Sequence, residues 1–334
     1  MKTIAINGFG RMGRLGFRAG FDHPEYQITH LNEAHAGAET CAHLLAFDTV
    51  HGRWRENEIS AAEGALTVSG QKITTSQTSQ LHEHDWSGFD IVIDATGKHK
   101  TTEALQPYFD QGVKKVIIAA PVKSPGALNV VMGCNDHLYD PTQHDIITAA
   151  SCTTNSVAPA IKVILEKFGI ERGTLTTLHN LTNTQIIVDA PHKDLRRARS
   201  AVNSLIPTTT GSATAVTLIF PELQGKLNGH AVRVPLLNAS LTDCVLHLPR
   251  PVTEEEVNAA LKEAAEGELK GILGYEDRPL VSADFTNDTR SGIVDAPSTQ
   301  VIDGTLLKLF LWYDNEVGYA NRLMELTRKV AASL

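Results

Sequence analysis

Short apolar runs alternate with longer amphipathic stretches through the first half of the chain. The runs are rich in β-branched residues and lie at 3–6, 28–31, 91–94, 115–119, 129–132 and 145–149. Strands of this length separated by helical segments are typical of βαβ units, whose strands pair in parallel. The pattern therefore predicts an α/β domain with a doubly wound parallel sheet over residues 1–150.

The pattern changes after residue 150. The strand candidates become longer, and apolar and polar residues partly alternate along them, at 173–179, 231–234, 240–248 and 306–312. Such alternation is typical of a sheet with one covered face, which is usually antiparallel. We therefore expect a second domain over residues 151–315, of the α+β type and with a mainly antiparallel sheet.

Two further helices are predicted from local signals. Thr253 precedes an acidic amphipathic stretch and has the chemistry of an N-cap. Apolar residues recur at helical spacing near the carboxyl terminus, at Leu323, Leu326, Val330 and Leu334, which predicts a terminal helix over 316–334.

Length and composition limit the possible classes of protein. The chain has 334 residues, 42% of them hydrophobic and 20% charged, as expected for two globular domains. A net charge of -8 argues against binding to nucleic acid, which requires Lys and Arg to neutralise phosphates. We see neither a secretory signal nor an apolar stretch long enough to cross a bilayer, so we expect a cytoplasmic protein that does not engage membranes.

The cysteines and histidines do not predict a metal site. The four cysteines are far apart and form no CxxC pair, so we expect free thiols at Cys41, Cys134, Cys152 and Cys244. His82 and His84 lie close together, but no further spaced ligand accompanies them. We expect both histidines on the solvated surface and predict no metal.

A glycine-rich turn lies between the first predicted strand and a predicted helix. It reads Gly8-Phe9-Gly10-Arg11-Met12-Gly13, a Rossmann-type fingerprint that allows close approach of a pyrophosphate. Glu33 ends the next strand, at the spacing of an acid that binds the ribose hydroxyls of NAD and repels the 2′-phosphate of NADP. Thr96 and Gly97 follow a later strand, where ligands of such sheets bind. The alternatives are a structural turn and a solvated acid.

Cys152 lies between hydroxyl residues, after an apolar strand and at the predicted start of a helix. The partial positive charge of a helix N-terminus lowers a thiol pKa, and the thiolate is the reactive form. We therefore interpret Cys152 as a nucleophile, against the alternative of a small buried residue. A nucleophile requires a base, and His179, at the end of another predicted strand, is the candidate.

A basic segment between residues 181 and 203 has no clean period. It concentrates positive charge in an acidic protein through Lys193, Arg196, Arg197 and Arg199. Arginine suits phosphate oxygens, and the hydroxyls of 208–210, Gly211 and Arg233 add to the same chemistry. We interpret these residues as a site for an anionic substrate. The alternative is a set of salt bridges to a partner subunit.

These motifs together resemble phosphorylating glyceraldehyde-3-phosphate dehydrogenases over essentially the whole chain. The matching stretches include "INGFGRMGR", "FDTVHGRW", "ASCTTN", "HKDLRRAR", "IPTTTG" and "WYDNEVGYANR". In that family a cysteine attacks the aldehyde, hydride passes to NAD, and inorganic phosphate releases the thioester as an acyl phosphate. The resemblance implies an NAD-dependent aldehyde dehydrogenase in which Cys152 is the nucleophile and His179 the general base.

The resemblance also implies roles for other residues. It places the phosphate group of the substrate near Thr182, Thr184 and Arg233. It places the attacking phosphate near Ser151, Thr153, Arg197, Thr210 and Gly211. It places the cofactor pyrophosphate near Arg11 and Met12, and the nicotinamide amide near Asn315. The segment 181–203 is similar to the loop at the core of the family's homotetramer, and the terminal helix is expected to return to the cofactor domain.

Several positions depart from the usual family pattern. Glu33 replaces an aspartate, Ala95 and Ala119 replace serines, and Ser156 stands where many members have a second cysteine. With "NEAHAGAETCAHLLAFDTVHGRW", these departures are most similar to the branch associated with arsenate resistance. In that branch arsenate replaces phosphate and yields 1-arseno-3-phosphoglycerate.

Three other functions stay open. An erythrose-4-phosphate dehydrogenase would use the same chemistry on a longer substrate. A Cys-His hydrolase would use Cys152 and His179 without a nucleotide, and would leave the glycine turn unexplained. A non-enzymatic RNA- or partner-binding protein on a dinucleotide fold is disfavoured by the charge balance.

Overall fold

The computed structural model describes the backbone of all 334 residues and every side chain except those of residues 212–214. The chain forms two compact units. The first unit contains Met1–Val130, Asp136–Ala150 and Ala320–Leu334, and the second contains Val131–Asn135 and Ser151–Tyr319.

The first unit alternates strands and helices. Its strands are β1 (Lys2–Asn7), β2 (Tyr26–Asn32), β3 (Phe47–Asp48), β4 (Gly52–Arg53), β5 (Ile59–Ala62), β6 (Ala65–Val68), β7 (Gln71–Ser76), β8 (Ile91–Asp94), β9 (Lys115–Ile118), β10 (Ala127–Asn129) and β11 (Ile146–Thr148). Its helices before the terminal one are α1 (Arg11–Gly20), α2 (Ala38–Ala46) and α3 (Thr102–Phe109).

The main sheet of this unit is doubly wound. Its order is β10-β11-β9-β8-β1-β2-β7-β6-β5, and every pair from β10 to β7 is parallel. The central strands are buried on both faces, as Ile4 and Ile91 show, so they form continuous apolar runs rather than alternating ones. The predicted Rossmann-type sheet is confirmed. The antiparallel extension of β5 and β6 was not predicted.

One strand prediction was displaced. The apolar run at 129–132 predicted a strand, but β10 ends at Asn129. The side chain of Asn129 bonds with the backbone of Val122, donating at 2.7 Å and accepting at 3.2 Å, and it also accepts from Thr148. Val130 and Val131 are buried without continuing the strand, and burial alone produces an apolar run.

The histidine prediction was half wrong. His82 is exposed, but the ring of His84 stacks on buried His30 with centroids 4.3 Å apart and contacts Trp86 edge to face. Two aromatic neighbours give His84 an apolar contact that spacing along the sequence does not reveal. Among the described side chains, no group of three His, Cys, Asp or Glu is placed to hold a metal ion.

The second unit also combines helices with a sheet. Its helices are α4 (Cys152–Lys167), α5 (Ser212–Ile219) and α6 (Glu254–Glu266). Its strands are β12 (Arg172–His179), β13 (Ile206–Thr209), β14 (Leu227–Arg233), β15 (Ser240–His247), β16 (Leu273–Glu276), β17 (Gly292–Asp295), β18 (Gln300–Ile302) and β19 (Leu306–Tyr313).

The sheet of the second unit is mixed and mainly antiparallel. Its order is β13-β14-β12-β15-β19-β17-β16, with β18 paired to β19, and only the pairs β12–β14 and β16–β17 are parallel. Along β19 buried residues alternate with half-buried ones, so one face supplies the core. That core includes Ile161 and Ile164 of α4 and Leu261 of α6. The predicted fold class is confirmed.

Both local helix predictions agree with the structure. Thr253 is the N-cap of α6, and its hydroxyl accepts from Glu256 while the Glu256 carboxylate accepts from the Thr253 N–H. The terminal helix α7 spans Val317–Ala332, and Leu323 and Met324 lie against Gly16 of α1. None of the helices in the described part of the chain has both the length and the apolarity that a membrane crossing requires.

Candidate active site

The glycine turn of the first unit is shaped by its own backbone. Gly8 has φ +90°, and a Cβ there would lie 2.7 Å from the amide nitrogen of Thr96. A Cβ at Gly13 would collide with the carbonyl oxygen of Gly8. Gly10, by contrast, would meet no protein atom within 4 Å. Protein packing therefore requires glycine at two positions and leaves open space at the third, beside the N-terminus of α1.

Glu33 lies at the same turn. One oxygen of its carboxylate accepts from the Phe9 N–H at 2.9 Å, and the other accepts from the His35 N–H at 3.0 Å. A carboxylate oxygen has two lone-pair directions, so both oxygens retain the capacity to accept hydroxyls. The acid at the end of β2 is thus held beside the turn that follows β1.

The glycine turn and Glu33 border a cavity of about 230 Å³ within the first unit. Its lining includes Gly8, Gly10, Glu33, Thr96 and His99. The Thr96 hydroxyl donates to buried Asp94 at 2.7 Å, and Gly97 makes the turn after it with φ +68°. Of the other predicted cofactor residues, Arg11 pairs with Asp48 and Met12 is half-buried in the first turn of α1.

A buried polar network beneath this cavity was not predicted. Tyr108 donates to Asp94 at 2.9 Å and accepts from Asn7 at 2.6 Å, while Asn32 donates to Asn7 at 2.7 Å. His99 Nδ1 lies 2.7 Å from Asp94 Oδ2, the same oxygen that accepts from Tyr108. The available signal was a polar residue at the carboxyl end of β1, β2 and β8, where ligands of parallel sheets bind.

In the second unit, the start of α4 presents the thiol. Ala150 has φ +52°, which turns the chain sharply, and the Ser151 hydroxyl caps the helix by accepting from the Thr154 N–H at 3.2 Å. Cys152 is therefore the first helical residue. It is half-buried, whereas the free thiols of Cys41, Cys134 and Cys244 are buried. Position and accessibility distinguish Cys152 from the other cysteines.

His179 faces this thiol from the end of β12. Its Nε2 lies 3.8 Å from the Cys152 sulfur. Its Nδ1 lies 2.8 Å from the Asn180 carbonyl oxygen and 2.7 Å from an Nη1 of Arg233. In the parallel pairing of β12 with β14, His179 is directly opposite Arg233. Strand pairing therefore brings the imidazole and a guanidinium together, and the start of α4 presents the thiol to the imidazole.

Burial dominates the protonation of this group. Burial, and then the positive charge of Arg233, lower the pKa of His179 to about 3. Burial also raises the pKa of the Cys152 thiol, while Thr153 and Arg233 lower it. For Cys152 considered without its neighbour His179, burial thus raises the thiol pKa by more than the helix N-terminus was expected to lower it. The resting imidazole is neutral and can accept the thiol proton when the sulfur attacks.

The predicted anion-binding residues lie on several segments of the second unit. The hydroxyls of Thr182 and Thr184, just after β12, lie 3.0 Å apart. Burial lowers the pKa of Arg233, and the positive charge of Arg197 lowers it further. Two guanidinium groups are therefore close enough to interact.

The remaining predicted residues flank the thiol or α5. The Thr153 hydroxyl lies 2.9 Å from the Tyr313 hydroxyl. Thr210 and Gly211 join β13 to α5, and Gly211 is the N-cap position of that helix. The side chain of Ser151 is engaged as the cap of α4.

Asn315 follows β19 and is buried. Its Oδ1 has no hydrogen-bond partner among the described residues. The neighbouring Asp314 accepts from the N–H groups of Glu316 and Val317 at the start of α7, which fixes the backbone here. A fixed, unsatisfied amide oxygen is costly unless a ligand supplies a donor.

The basic segment is irregular, as predicted. Within it, Arg199 pairs with Asp189 at 2.7 Å and Arg197 lies 3.5 Å from Asp194. Large apolar side chains are also exposed, with Val188 at 75% and Leu195 at 82%. The segment therefore combines charge with apolar surface.

The chain matches two family models. One, described as "Glyceraldehyde 3-phosphate dehydrogenase, NAD binding domain", matches residues 2–102. The other, described as "Glyceraldehyde 3-phosphate dehydrogenase, C-terminal domain", matches residues 151–315.

Whole-length relatives agree with these matches. "Glyceraldehyde-3-phosphate dehydrogenase 3" of Nostoc sp. (strain PCC 7120 / SAG 25.82 / UTEX 2576) is 58% identical over 334 residues, 99% of this chain and 98% of the relative. "Glyceraldehyde-3-phosphate dehydrogenase" of Geobacillus stearothermophilus is 50% identical over 331 residues, 98% of each chain. "Glyceraldehyde-3-phosphate dehydrogenase 1" of Bacillus cereus is 50% identical over 328 residues, 98% of this chain and 97% of the relative.

Proposed function

The chain belongs to the glyceraldehyde-3-phosphate dehydrogenase family, and from that premise we propose that it oxidises glyceraldehyde 3-phosphate through a thioester on Cys152. It is an NAD-dependent oxidoreductase that acts on an aldehyde group. The observation that carries the proposed mechanism is the Cys152 thiol at the start of α4, 3.8 Å from His179 Nε2.

The residues of the first unit fit NAD. Gly10 leaves open space at the N-terminus of α1, where N–H groups favour a pyrophosphate, and Glu33 has lone pairs for ribose hydroxyls. We assign the amide group of nicotinamide to Asn315 of the second unit, whose Oδ1 has no partner among the described residues. Bound NAD supplies the hydride acceptor.

The chain's own residues perform the proton and acyl transfers. The Cys152 sulfur bonds to the aldehyde carbon while His179 Nε2 takes the thiol proton and returns it to the former carbonyl oxygen, giving a hemithioacetal. As hydride leaves the carbon, His179 accepts the hydroxyl proton and a thioester remains. An oxygen of inorganic phosphate then attacks the thioester carbon and displaces the sulfur, which takes back the proton held by His179. The proton of the attacking phosphate oxygen passes to water, so an acyl phosphate forms and the thiol and the neutral imidazole are restored.

The anionic parts of the substrates require cationic and hydroxyl partners. We assign the phosphate group of the aldehyde to Arg233, Thr182 and Thr184. We assign the attacking phosphate to Ser151, Thr153, Arg197, Thr210 and Gly211. The interaction between Arg197 and Arg233 supports this grouping, because two neighbouring guanidinium groups favour a bound anion.

A direct assay tests the function. We expect NADH to form with glyceraldehyde 3-phosphate, NAD and phosphate, and expect Cys152→Ser to abolish it while calorimetry still detects NAD binding. Faster turnover of erythrose 4-phosphate would assign the alternative substrate. No NADH with either aldehyde would contradict the proposal and favour a hydrolase. Continued turnover by Cys152→Ser would refute the nucleophile.

We further propose that arsenate replaces phosphate in the physiological reaction. The support is the set of departures at Glu33, Ala95, Ala119 and Ser156. Arsenate and phosphate have the same charge and shape, so turnover with both anions must be paired with deletion of the gene in arsenate-exposed cells. Lost resistance is expected, and unchanged resistance would contradict arsenate as the physiological substrate.

We also propose that the protein is a homotetramer. The basic segment exposes Val188 and Leu195, and exposed apolar side chains beside arginines are typical of an interface. Light scattering should give four times the mass of one chain. Leu195→Asp should reduce that mass, and a monomeric wild-type protein would contradict the proposal.

A further inference from the structure

The side chain of Asn180, the residue after His179, has no role in the steps above. It is fully buried, and both of its polar atoms are engaged. Nδ2 donates to the carbonyl oxygens of Leu181 at 3.0 Å and Leu237 at 2.9 Å. Oδ1 accepts from the Ser240 hydroxyl at 2.7 Å, and the Asn180 N–H donates to the same hydroxyl at 3.1 Å. These bonds fix the side chain and the peptide of Asn180 relative to each other.

The main chain of Asn180 contacts both the catalytic base and the phosphate-binding guanidinium. Its carbonyl oxygen accepts from Arg233 Nη1 at 3.1 Å and lies 2.8 Å from His179 Nδ1. Arg233 is assigned to the phosphate group of the aldehyde, and its Nε is buried without a partner among the described residues. The guanidinium therefore retains a donor for an anion. Its placement depends on the position of the Asn180 peptide.

The Asn180 side chain also lies where the pairing of β12 with β14 ends. The last register pair of these strands is His179 with Arg233. Beyond that pair, the Leu181 N–H donates to the Leu236 carbonyl oxygen at 2.9 Å. The Nδ2 bonds of Asn180 join the same two segments a second time, through a side chain. The amide thus continues the connection between the segments after the regular ladder has stopped.

The groups assigned to the phosphate of the aldehyde are divided between these two segments. Arg233 ends β14, whereas Thr182 and Thr184 follow β12, with hydroxyls 3.0 Å apart. Hydrogen bonds from a guanidinium and from hydroxyls to one phosphate require a fixed spacing between the donors. Asn180 connects the segment of the hydroxyls to the segment of the guanidinium.

We propose that the Asn180 side chain sets the spacing between Arg233 and the two threonine hydroxyls, and thereby the affinity for the phosphate group of the aldehyde. This assignment rests on the proposed function. Asn180 acts through Arg233 and Thr182, so it is a positioning residue. A misplacement of about 1 Å in a binding site can cost about 100-fold in rate. Loss of the amide leaves the main-chain bond of Leu181 in place, so the expected cost is smaller.

Turnover of glyceraldehyde, which lacks the phosphate group, separates this role from an effect on the base. Asn180→Ala should raise the KM for glyceraldehyde 3-phosphate about tenfold, with a smaller change in kcat. The ratio of kcat/KM for the phosphorylated aldehyde to kcat/KM for glyceraldehyde should fall by the same factor. If Asn180 acted only through His179, both aldehydes would lose equally. An unchanged ratio would overturn the proposal.

Asn258 of α6 offers a matched control. Its Nδ2 donates to the Ala296 carbonyl oxygen at 3.3 Å, and its Oδ1 accepts from the Thr299 hydroxyl at 2.8 Å. Asn258→Ala therefore loses the same kinds of hydrogen bond outside the assigned sites. It should keep the wild-type ratio, and a fall equal to that of Asn180→Ala would overturn the proposal.

A double variant identifies the route through the guanidinium. In an Arg233→Gln background, Asn180→Ala should lower kcat/KM for glyceraldehyde 3-phosphate by at most about twofold more, because the two changes affect one site. A further loss as large as in the wild-type background would overturn the proposal.

Calorimetry with glycerol 3-phosphate, which carries a phosphate group but no aldehyde, requires no turnover. Asn180→Ala should bind it about tenfold more weakly than the wild type, and equal affinity would overturn the proposal. If Asn180→Ala does not fold, Ser240→Ala removes two bonds to Asn180 and should weaken binding about threefold, with equal affinity again overturning the proposal. Weaker binding by the variant of a protein that forms no NADH would contradict only the proposed function.

Discussion

His179→Asn tests the thiol–imidazole pair most directly. Asparagine removes the Nε2 that lies 3.8 Å from the Cys152 sulfur and cannot accept a proton. An ordinary thiol with a pKa of about 8.5 is only about 3% ionised at pH 7, and burial raises the pKa of Cys152. Without a base, at most about one Cys152 thiol in 30 is therefore ionised at pH 7. We expect a loss of about 100-fold, the low end for general-base catalysis.

The pH dependence makes this prediction specific. In the variant only solvent can deprotonate the thiol, so its rate should rise about tenfold per pH unit up to the thiol pKa. The wild-type rate should change far less, because burial holds the pKa of His179 at about 3 and keeps the base neutral above that value. The ratio of the wild-type rate to the His179→Asn rate should therefore fall between pH 7 and about pH 9.

The assay is the burst of NADH in a stopped-flow mixture without phosphate, which isolates formation of the thioester. His137→Asn, at an exposed position outside both sites, controls for loss of a histidine. A loss below about tenfold at pH 7, or parallel pH profiles for variant and wild type, would refute His179 as the base.

Three further predictions address the fold around the sites. Gly13→Ala should lower both the melting temperature and the NAD affinity, because its Cβ collides with backbone. Gly10→Ala should lower the NAD affinity with little change in melting temperature, because its Cβ meets open space. Equal melting temperatures for the two variants would contradict this reasoning. Ser151→Ala should reduce the free energy of unfolding by about 1 kcal/mol in urea, with Ser151→Asp retaining the cap. Burial, and then His84, lower the pKa of His30 to about 4. The contribution of neutral His30 to the free energy of unfolding is therefore fully present above pH 6.5 and falls toward pH 4 by about 1.4 kcal/mol per pH unit. His30→Gln should reduce this slope.

Local patterns in the sequence predicted the elements that carry the chemistry. The cap at Ser151 and the apolar strand before it placed Cys152 at a helix start, and the glycine spacing placed the turn after β1. Both signals depend on residues a few positions apart, because caps and tight turns are made from neighbouring backbone groups. The family motifs extended the assignments to residues that no local pattern selects.

Contacts between distant segments could not be predicted. Spacing suggested that His84 was solvated, yet it stacks on His30, and an apolar run suggested a strand where the chain is only buried. The prediction of a lowered thiol pKa was also wrong for Cys152 alone, because burial depends on everything packed around the sulfur. Each error concerns an environment formed by segments far apart along the chain.

The sequence by itself determined the central strands of both sheets, the glycine turn and the position of a thiol at a helix start, because hydrophobic period and backbone chemistry act over short distances. Only the tertiary structure decided what faces that thiol. Parallel pairing of β12 with β14 sets His179 opposite Arg233, although 54 positions separate them. Hydrogen bonding between strands, and the burial that accompanies it, determines which charges meet at the base.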